Sequence, residues 1–299
     1  MRKVVIVVNR HPSSKVRSEL YIREGYKLIN GASLGSRWKI VRVIGLLVLL
    51  FELALYRPVE TCIIKSSNVR LLTFARQLSK TLVFDIDDAV WGDSLWGKKV
   101  TSSIFSCVDS FVCDNDYLKY YIELHYKKES MVRVGSIPIC EFDDEYRLDF
   151  SKSGKLIIGW VGSVGTSYNL YAIADFLKYI DNHDKFQLAF LGVSKDVLAN
   201  LDIKNAWIKT RYNEMDLCEF LKNSMDLGLF PMYDVENNWG RGYHKLRLYR
   251  TNGLPSLVSD IRYKDSDLPS SLDLVYVEDG NWINEFNRFY ENRFLHGNY

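Results

Sequence analysis

Cysteine, histidine and proline are all scarce in this 299-residue chain, at five, five and six copies, and each shortage narrows what the chain can be. The cysteines, Cys62, Cys107, Cys113, Cys140 and Cys218, are scattered and odd in number, and no two form a CxxC pair. That pattern argues against a disulfide framework or a zinc site and fits reduced thiols in a cytoplasmic protein. No Ser-His-Asp order or nucleophile elbow is present. His11 follows the first strand, at the end where a ligand cleft would open, and is a candidate polar contact on the acceptor side of a substrate. Charge of one sign is lacking too. Thirty-nine basic residues face 37 acidic ones, a net charge of +2, which removes the bulk electrostatic argument for nucleic acid. Finally, no apolar run is long. The longest, Val43–Tyr56, falls short of the roughly 20 residues of a membrane-spanning helix and is interrupted by Glu52. Two readings of it stand: a buried helix, or a helix that touches an anionic membrane surface through its apolar face and its basic flanks Lys39, Arg42 and Arg57. On the second reading the protein sits peripherally at the inner face of a membrane. Met1–Asn9 reads as a buried first strand rather than a secretion signal.

What is present is enough apolar material, 47% of residues, for two cores. Strand and helix patterns alternate. Strands are expected at 4–9, 61–64, 81–85, 110–113 and 131–134, with helices at 15–28, 38–55, 69–78, 98–106 and 116–125. A second series follows: strands at 156–161, 186–191, 227–230, 256–258 and 274–277, with helices at 168–180, 216–223, 243–251 and 282–294. Between the series, 137–154 is acidic and aperiodic and reads as a linker. Such alternation implies mostly parallel sheets with helices on both faces. The fold class expected is α/β, with two doubly wound Rossmann-like domains facing across a cleft. Residues 1–150 form the first domain, 151–281 the second, and 282–299 a helix that packs back toward the first.

Three constellations can carry chemistry. Gly159-Trp-Val-Gly162-Ser163-Val-Gly165-Thr166-Ser167 follows a strand and opens a helix, so Gly162 and Gly165 let backbone N–H groups approach an anion while the hydroxyls add donors. Taken alone, it is equally an ordinary strand-to-helix turn with Thr166 or Ser167 as a cap. Gly240-Arg241-Gly242-Tyr-His244-Lys245 is a second loop entering a helix. Arg241 can grip a diphosphate bidentately, and Lys245 can neutralise charge on a leaving phosphate. A cation in a first helical turn opposes the helix dipole, which weakens the reading of a plain solvated basic end. Asp85, Asp87 and Asp88 close a strand. They act as acid or base, or as half of a divalent-metal site, or they cap a helix and pair with a residue such as Arg70 or Arg76.

These motifs together resemble a GT-B glycosyltransferase, particularly the large retaining family 4 and its relatives. The likeness rests on Val83-Phe-Asp85-Ile-Asp87-Asp88-Ala-Val-Trp91, Ile158-Gly-Trp-Val-Gly162-Ser163, Asp226-Leu-Gly-Leu-Phe-Pro231 and Lys245-Leu-Arg-Leu-Tyr249-Arg-Thr-Asn-Gly253-Leu-Pro255. The resemblance implies a nucleotide-sugar donor held by the second domain, with Gly162 and Ser163 in the donor-phosphate loop and Lys245 on the diphosphate. It implies an acceptor on the first domain and no obligatory metal. One departure matters: the two glutamates that hold the donor ribose in the family fall here at Gly240 and Leu248. Leu248 cannot accept a hydroxyl hydrogen bond. Either Asn237 or Asn238 does that work, or the donor differs, or the chain is a degenerate, non-catalytic glycan-binding or scaffold subunit.

The expectation is therefore a hexosyltransferase, retaining in outcome, that moves a sugar to a glycan or lipid-linked acceptor in surface polysaccharide or glycoconjugate synthesis. Asp85, Asp88 and Lys245 carry the catalysis. Gly162, Ser163, Thr166, Asn238, Arg241, Lys245 and Tyr249 bind the donor. No cofactor and no metal is called for, since the nucleotide sugar is itself a substrate.

Overall fold

The computed structural model describes residues 2–8, 12–31, 38–92, 97–134, 154–263 and 273–295. The chain forms two compact units: Met1–Ser136 with Val235–Gly242, and Ile137–Asp234 with Tyr243–Tyr299. His11, Cys140, most of the expected linker and the boundary at 150 lie outside the described residues. The segment Val235–Gly242, expected with the second domain, belongs to the first unit.

The first unit alternates β1 (Lys3–Val7), α1 (Pro12–Arg23), β2 (Lys27–Asn30), α2 (Lys39–Tyr56), β3 (Glu60–Ile64), α3 (Val69–Leu78), β4 (Thr81–Ile86), α4 (Gly97–Cys107), β5 (Ser110–Cys113), α5 (Asp116–Tyr126) and β6 (Glu129–Val132). The strands pair in parallel in the order β2-β1-β3-β4-β5-β6. Helices cover both faces of such a sheet, so its strands are apolar almost throughout: Val4–Ile6 and Cys62–Ile64 are buried on either side of the pleat. Helices α3 and α5 begin where the sequence offers a cap. Asn68 accepts from the Leu71 N–H at 3.1 Å and Asn115 from the Leu118 N–H at 2.9 Å. Strand β2 was not anticipated. A helix was expected to run on to residue 28, but α1 stops at Arg23 and Gly25 (φ 83°) turns the chain into a short edge strand with only Ile29 buried.

The second unit runs β7 (Leu156–Val161), a 3₁₀ stretch (Val164–Ile173), α6 (Ala174–Asp181), β8 (Phe186–Leu191), α7 (Lys195–Asn200), β9 (Trp207–Lys209), α8 (Glu214–Glu219) and β10 (Leu227–Phe230). After α9 (Glu236–Trp239), which belongs to the first unit, it resumes with α10 (His244–Thr251), β11 (Ser256–Ser259), β12 (Leu274–Val277) and α11 (Trp282–Tyr290). The sheet is again wholly parallel, ordered β12-β11-β10-β7-β8-β9. Its core gathers Trp160, Phe176, Phe186 and Phe190 with Trp282, Phe286 and Phe289. The closing helix, expected to pack toward the first domain, thus buries its apolar stripe in the second unit's own core. Strand β9 escaped the sequence pattern because it has three residues and none is fully buried.

Both units share a topological device. In the first, the chain moves from β1 to β2 on one side and returns to β3 on the other. In the second, β7 leads outward to β8 and β9, and the chain then comes back to β10 on the opposite flank. The carboxyl ends of β1/β3 and of β7/β10 are therefore switch points, where loops diverge and leave a crevice that ligands occupy in open α/β sheets.

Candidate functional site

At the switch point of the second unit, β7 ends in Gly162-Ser163. The Gly162 N–H donates to the Leu191 carbonyl at 2.9 Å, and its own carbonyl accepts from the Tyr212 hydroxyl at 2.9 Å. A β-carbon on Gly162 would stand 2.2 Å from the Trp160 ring and 2.8 Å from Lys245 Nζ, so this position must be glycine for the loop and the lysine to approach. Ser163 and Thr166 form a reciprocal cap: the Thr166 hydroxyl accepts from the Ser163 N–H at 3.1 Å and donates to the Ser163 carbonyl at 3.0 Å. Lys245, second residue of α10, donates to that same Thr166 hydroxyl at 3.2 Å, and its ammonium lies 4.6 Å from the centre of the Trp160 ring. Two motifs, joined by a contact between residues 79 positions apart, thus meet in one half-buried cluster of a glycine, two hydroxyls and an ammonium. Such a set offers hydrogen-bond donors and positive charge to an anion.

Tyr249 holds this geometry from beneath. It is fully buried, its hydroxyl accepts from the Val161 N–H at 3.0 Å and donates to the Leu229 carbonyl at 3.3 Å, and burial pushes its pKa well above the ordinary phenol value. It was expected among the donor-binding residues. Its position ties α10 to β7 and β10, one turn from Lys245, and so makes it a positioning residue for the loop.

The carboxyl ends of β3, β4 and β5 in the first unit carry a different arrangement. Arg17 of α1 donates to both Asp85 and Asp114, and the Tyr21 hydroxyl donates to Asp85 at 2.6 Å. Arg17 and Asp85 are almost wholly buried. Burial raises the Asp85 pKa above the carboxylate range, while Arg17 and Tyr21 oppose that shift. Lys65, just past β3, pairs with Asp87 at 3.0 Å and with Asp88. Burial works against its charge and is outweighed by the two aspartates, so its pKa is raised. Its backbone is held in the left-handed region at φ 36°, a conformation that costs a non-glycine residue about 1–3 kcal/mol. The ammonium stands between Asp87 and Asp88.

The returning segment completes the first unit. Asn115 Nδ2 donates to the Arg241 carbonyl at 3.1 Å, while Trp91 Nε1 and the Tyr117 hydroxyl donate to Glu236 at 3.2 and 3.0 Å. A β-carbon on Gly240 would fall 2.4 Å from that of Ala89, and one on Gly242 would fall 1.7 Å from an Asp114 oxygen. Gly240 lets its backbone pack against Ala89 and Gly242 leaves room for the Asp114 carboxylate, and a glutamate at 240 has no room.

Each candidate residue now has a place. Gly162, Ser163, Thr166 and Lys245 come together in the second unit. Arg241, expected to share a phosphate with Lys245, belongs to the first unit; there burial and the Asp87 charge raise the pKa of half-buried Asp88, while Lys65 and, least, Arg241 oppose the rise. Asp85 is sealed in the Arg17 network, so Asp88 is the more exposed of the two aspartates proposed for catalysis. Asn238 is fully buried, and Leu248 is buried as well. The Asn237 side chain, like His11, lies outside the described residues. Sequence reasoning missed Tyr212, Arg17 and Lys65. Trp160 was visible as an aromatic beside a glycine loop, whereas Arg17 and Lys65 carry no local signal, because their partners lie 68 and 23 residues away.

No protein-family model matches the chain, and no curated protein matches it in sequence. Solved structures do. The chain is similar to a glycosyltransferase from Rickettsia africae (12% identity, TM-score 0.64) across 97% of this chain and 88% of that one. It is similar to the lipopolysaccharide outer core galactosyltransferase WaaB (13%, TM-score 0.58) across 97% and 90% of the two chains. Similarity to TarM (14%, TM-score 0.57) covers 83% of this chain and only 51% of TarM. At 12–14% identity such likeness carries architecture, and it agrees with the two parallel six-stranded sheets: this chain has the paired Rossmann-like units of the GT-B glycosyltransferase fold.

Proposed function

We propose that the protein is a glycosyltransferase, related to the retaining family 4 enzymes, that moves a hexose from a nucleotide-sugar donor to a glycan or lipid-linked acceptor. The reading is supported most by one observation: Lys245 reaches from α10 to the Thr166 hydroxyl and the Trp160 ring at the β7/β10 switch point. On this reading the loop N–H groups and the hydroxyls of Ser163 and Thr166 hold the donor diphosphate. Lys245 neutralises the charge that grows on it as the glycosidic bond to phosphate breaks. TarM, which shares the fold, has been solved with UDP and an α-GlcNAc-glycerol, and this supports a nucleoside diphosphate as the leaving group. The first unit takes the acceptor, with Asp88 the carboxylate that orients its hydroxyl and Arg241 beside it. No metal takes part in this scheme. With leucine at 248 and no space for a side chain at 240, the ribose is held by other groups than a glutamate pair.

Thermal unfolding with UDP, GDP, ADP and dTDP tests the reading. A ligand that binds only the folded protein at a hundred times its Kd adds about 2.7 kcal/mol, or roughly 5–10 °C in Tm. One nucleotide is expected to do so in the wild type and to lose most of the effect in Lys245→Ala. No shift with any of the four would overturn it. Product analysis with the matching nucleotide sugars then separates transfer from a binding-only subunit.

A further inference from the structure

The strongest feature outside the candidate site is helix α2. Among the described residues, nine of the twenty large apolar side chains that face solvent lie between Trp38 and Leu55. Single exposed apolar residues are ordinary; a contiguous set on one element is not. At 100° per residue, Ile40, Ile44, Leu47, Phe51 and Leu55 fall on one face, flanked by Val43 and Val48. Their exposures are 74, 55, 61, 64 and 68%. The opposite side, Leu49 and Leu53, is buried against the sheet side of the unit. The helix is therefore apolar on two faces, and among the described residues only one of them is covered. The free stripe runs about 22 Å from Ile40 to Leu55 at 1.5 Å per residue. Beside it, between α2 and β2, lies a groove of about 320 Å³ lined largely by Ile29, Val41, Ile44 and Val48.

The charges around the stripe identify what covers it. Lys39 and Arg42 stand at its start, next to Trp38, which is 76% exposed. At its other end are Arg57, the residue after the helix, and Lys27, whose ammonium lies 4.8 Å from the centre of the Tyr56 ring. Glu52 is the only acid in the helix. A second copy of the chain is a poor partner. Antiparallel pairing of two such helices sets Lys39 and Arg42 of one against Arg57 and Lys27 of the other. Parallel pairing sets each cation against itself. Either way like charges meet at both ends. A polyanionic apolar medium suits the same surface: acyl chains take the stripe, and headgroup phosphates take the cations at its ends. Tryptophan and tyrosine at those ends sit well at headgroup level. No helix among the described residues is long and apolar enough to cross a membrane, so the helix lies in the interface instead.

We infer that α2 is a membrane-docking surface, which lays the stripe Ile40–Leu55 into an anionic phospholipid bilayer while Lys39, Arg42, Arg57 and Lys27 engage its headgroups. The inference stands apart from the transferase reading: it needs no donor, and the donor assays need no lipid. It is tested by sedimenting the full chain with vesicles of phosphatidylcholine alone or with added phosphatidylglycerol. The expected result is strong binding to the phosphatidylglycerol vesicles and weak binding to the neutral ones. Leu47→Glu/Phe51→Glu places charge only at exposed positions and is expected to reduce binding at least about tenfold, with the melting curve unchanged. Lys39→Gln/Arg42→Gln is expected to lose roughly fivefold per cation on anionic vesicles and little on neutral ones. Should the first variant fail to fold, the second still decides. Equal binding to both vesicle types, or wild-type binding kept by the charge variant, would overturn the inference. So would a wild type that ignores vesicles and forms a dimer that Leu47→Glu/Phe51→Glu dissociates.

Discussion

The carboxyl ends of the two sheets, built on the same parallel backbone plan, carry opposite solutions. In the first unit Asp85, Asp87, Asp88 and Asp114 are met by Arg17 and Lys65 in closed ion pairs. In the second, a glycine, two hydroxyls and one ammonium gather around a loop. The contrast teaches where the fold closes carboxylates into ion pairs and where it gathers hydrogen-bond donors around a loop. A buried pair gains little net stability but is costly to break, because removing one partner strands the other. Lys245 donates to a neutral hydroxyl and lies over a ring face at the loop that opens the second sheet's switch point.

The sharpest break is Asp85→Ala. It leaves Arg17 buried beside Asp114 alone and is expected to cost about 3–5 kcal/mol of the first unit's stability. Urea unfolding would show this, while nucleotide binding by the folded fraction stays as in the wild type. Nearly as large is Lys245→Ala, with turnover falling about 100- to 1,000-fold in a transfer assay, equivalent to about 2.7–4 kcal/mol, and the urea midpoint nearly unmoved. If Lys245→Ala lowered stability as much as Asp85→Ala, the contrast between the two sites would collapse. Gly162→Ala comes next. Its methyl meets the Trp160 ring and Lys245 Nζ, and about 1–3 kcal/mol of stability is expected to go, with a rise in the donor's Kd read by calorimetry.

The smallest effect is a pH dependence shared by both units. Burial raises the pKa of Tyr21 in the first and Tyr249 in the second above the ordinary value of 10.0. Above that pH the unfolded chain releases protons that the folded chain keeps. The stability these residues contribute is therefore complete below about pH 10 and is lost as pH rises further, by about 1.4 kcal/mol per pH unit for each. Urea midpoints between pH 9 and 11 should fall, and Tyr249→Phe should flatten the slope. An unchanged slope in that variant would mean that Tyr249 does not hold its proton in the fold.

Much of this was legible in the chain. Strands β7, β8, β10 and β12 and helix α3 have the bounds their apolar patterns suggest, because buried parallel strands are short apolar runs between polar turns. Strand β2 and strand β9 were not, since edge strands are half solvated and lose that pattern. The Gly162 loop and Lys245 were each visible, and the resemblance put both on one diphosphate; the direct contact of Lys245 with Thr166 and Trp160 was not visible. Arg241, four residues from Lys245, was read as its partner and belongs to the other unit. The run Val43–Tyr56 could be identified as a helix, yet which of its two apolar faces is covered depends on what packs against it.

Sequence alone determined the class of the fold, the alternation of its elements and the glycine, hydroxyl and lysine types suited to an anion, because periodicity and turn chemistry are local properties. Tertiary structure decided which aspartate is sealed by Arg17, that Gly240 and Gly242 make room for Ala89 and Asp114, and that Lys245 reaches Thr166. Those outcomes depend on contacts between residues tens of positions apart, and chain topology, not local preference, brings such residues within hydrogen-bonding distance.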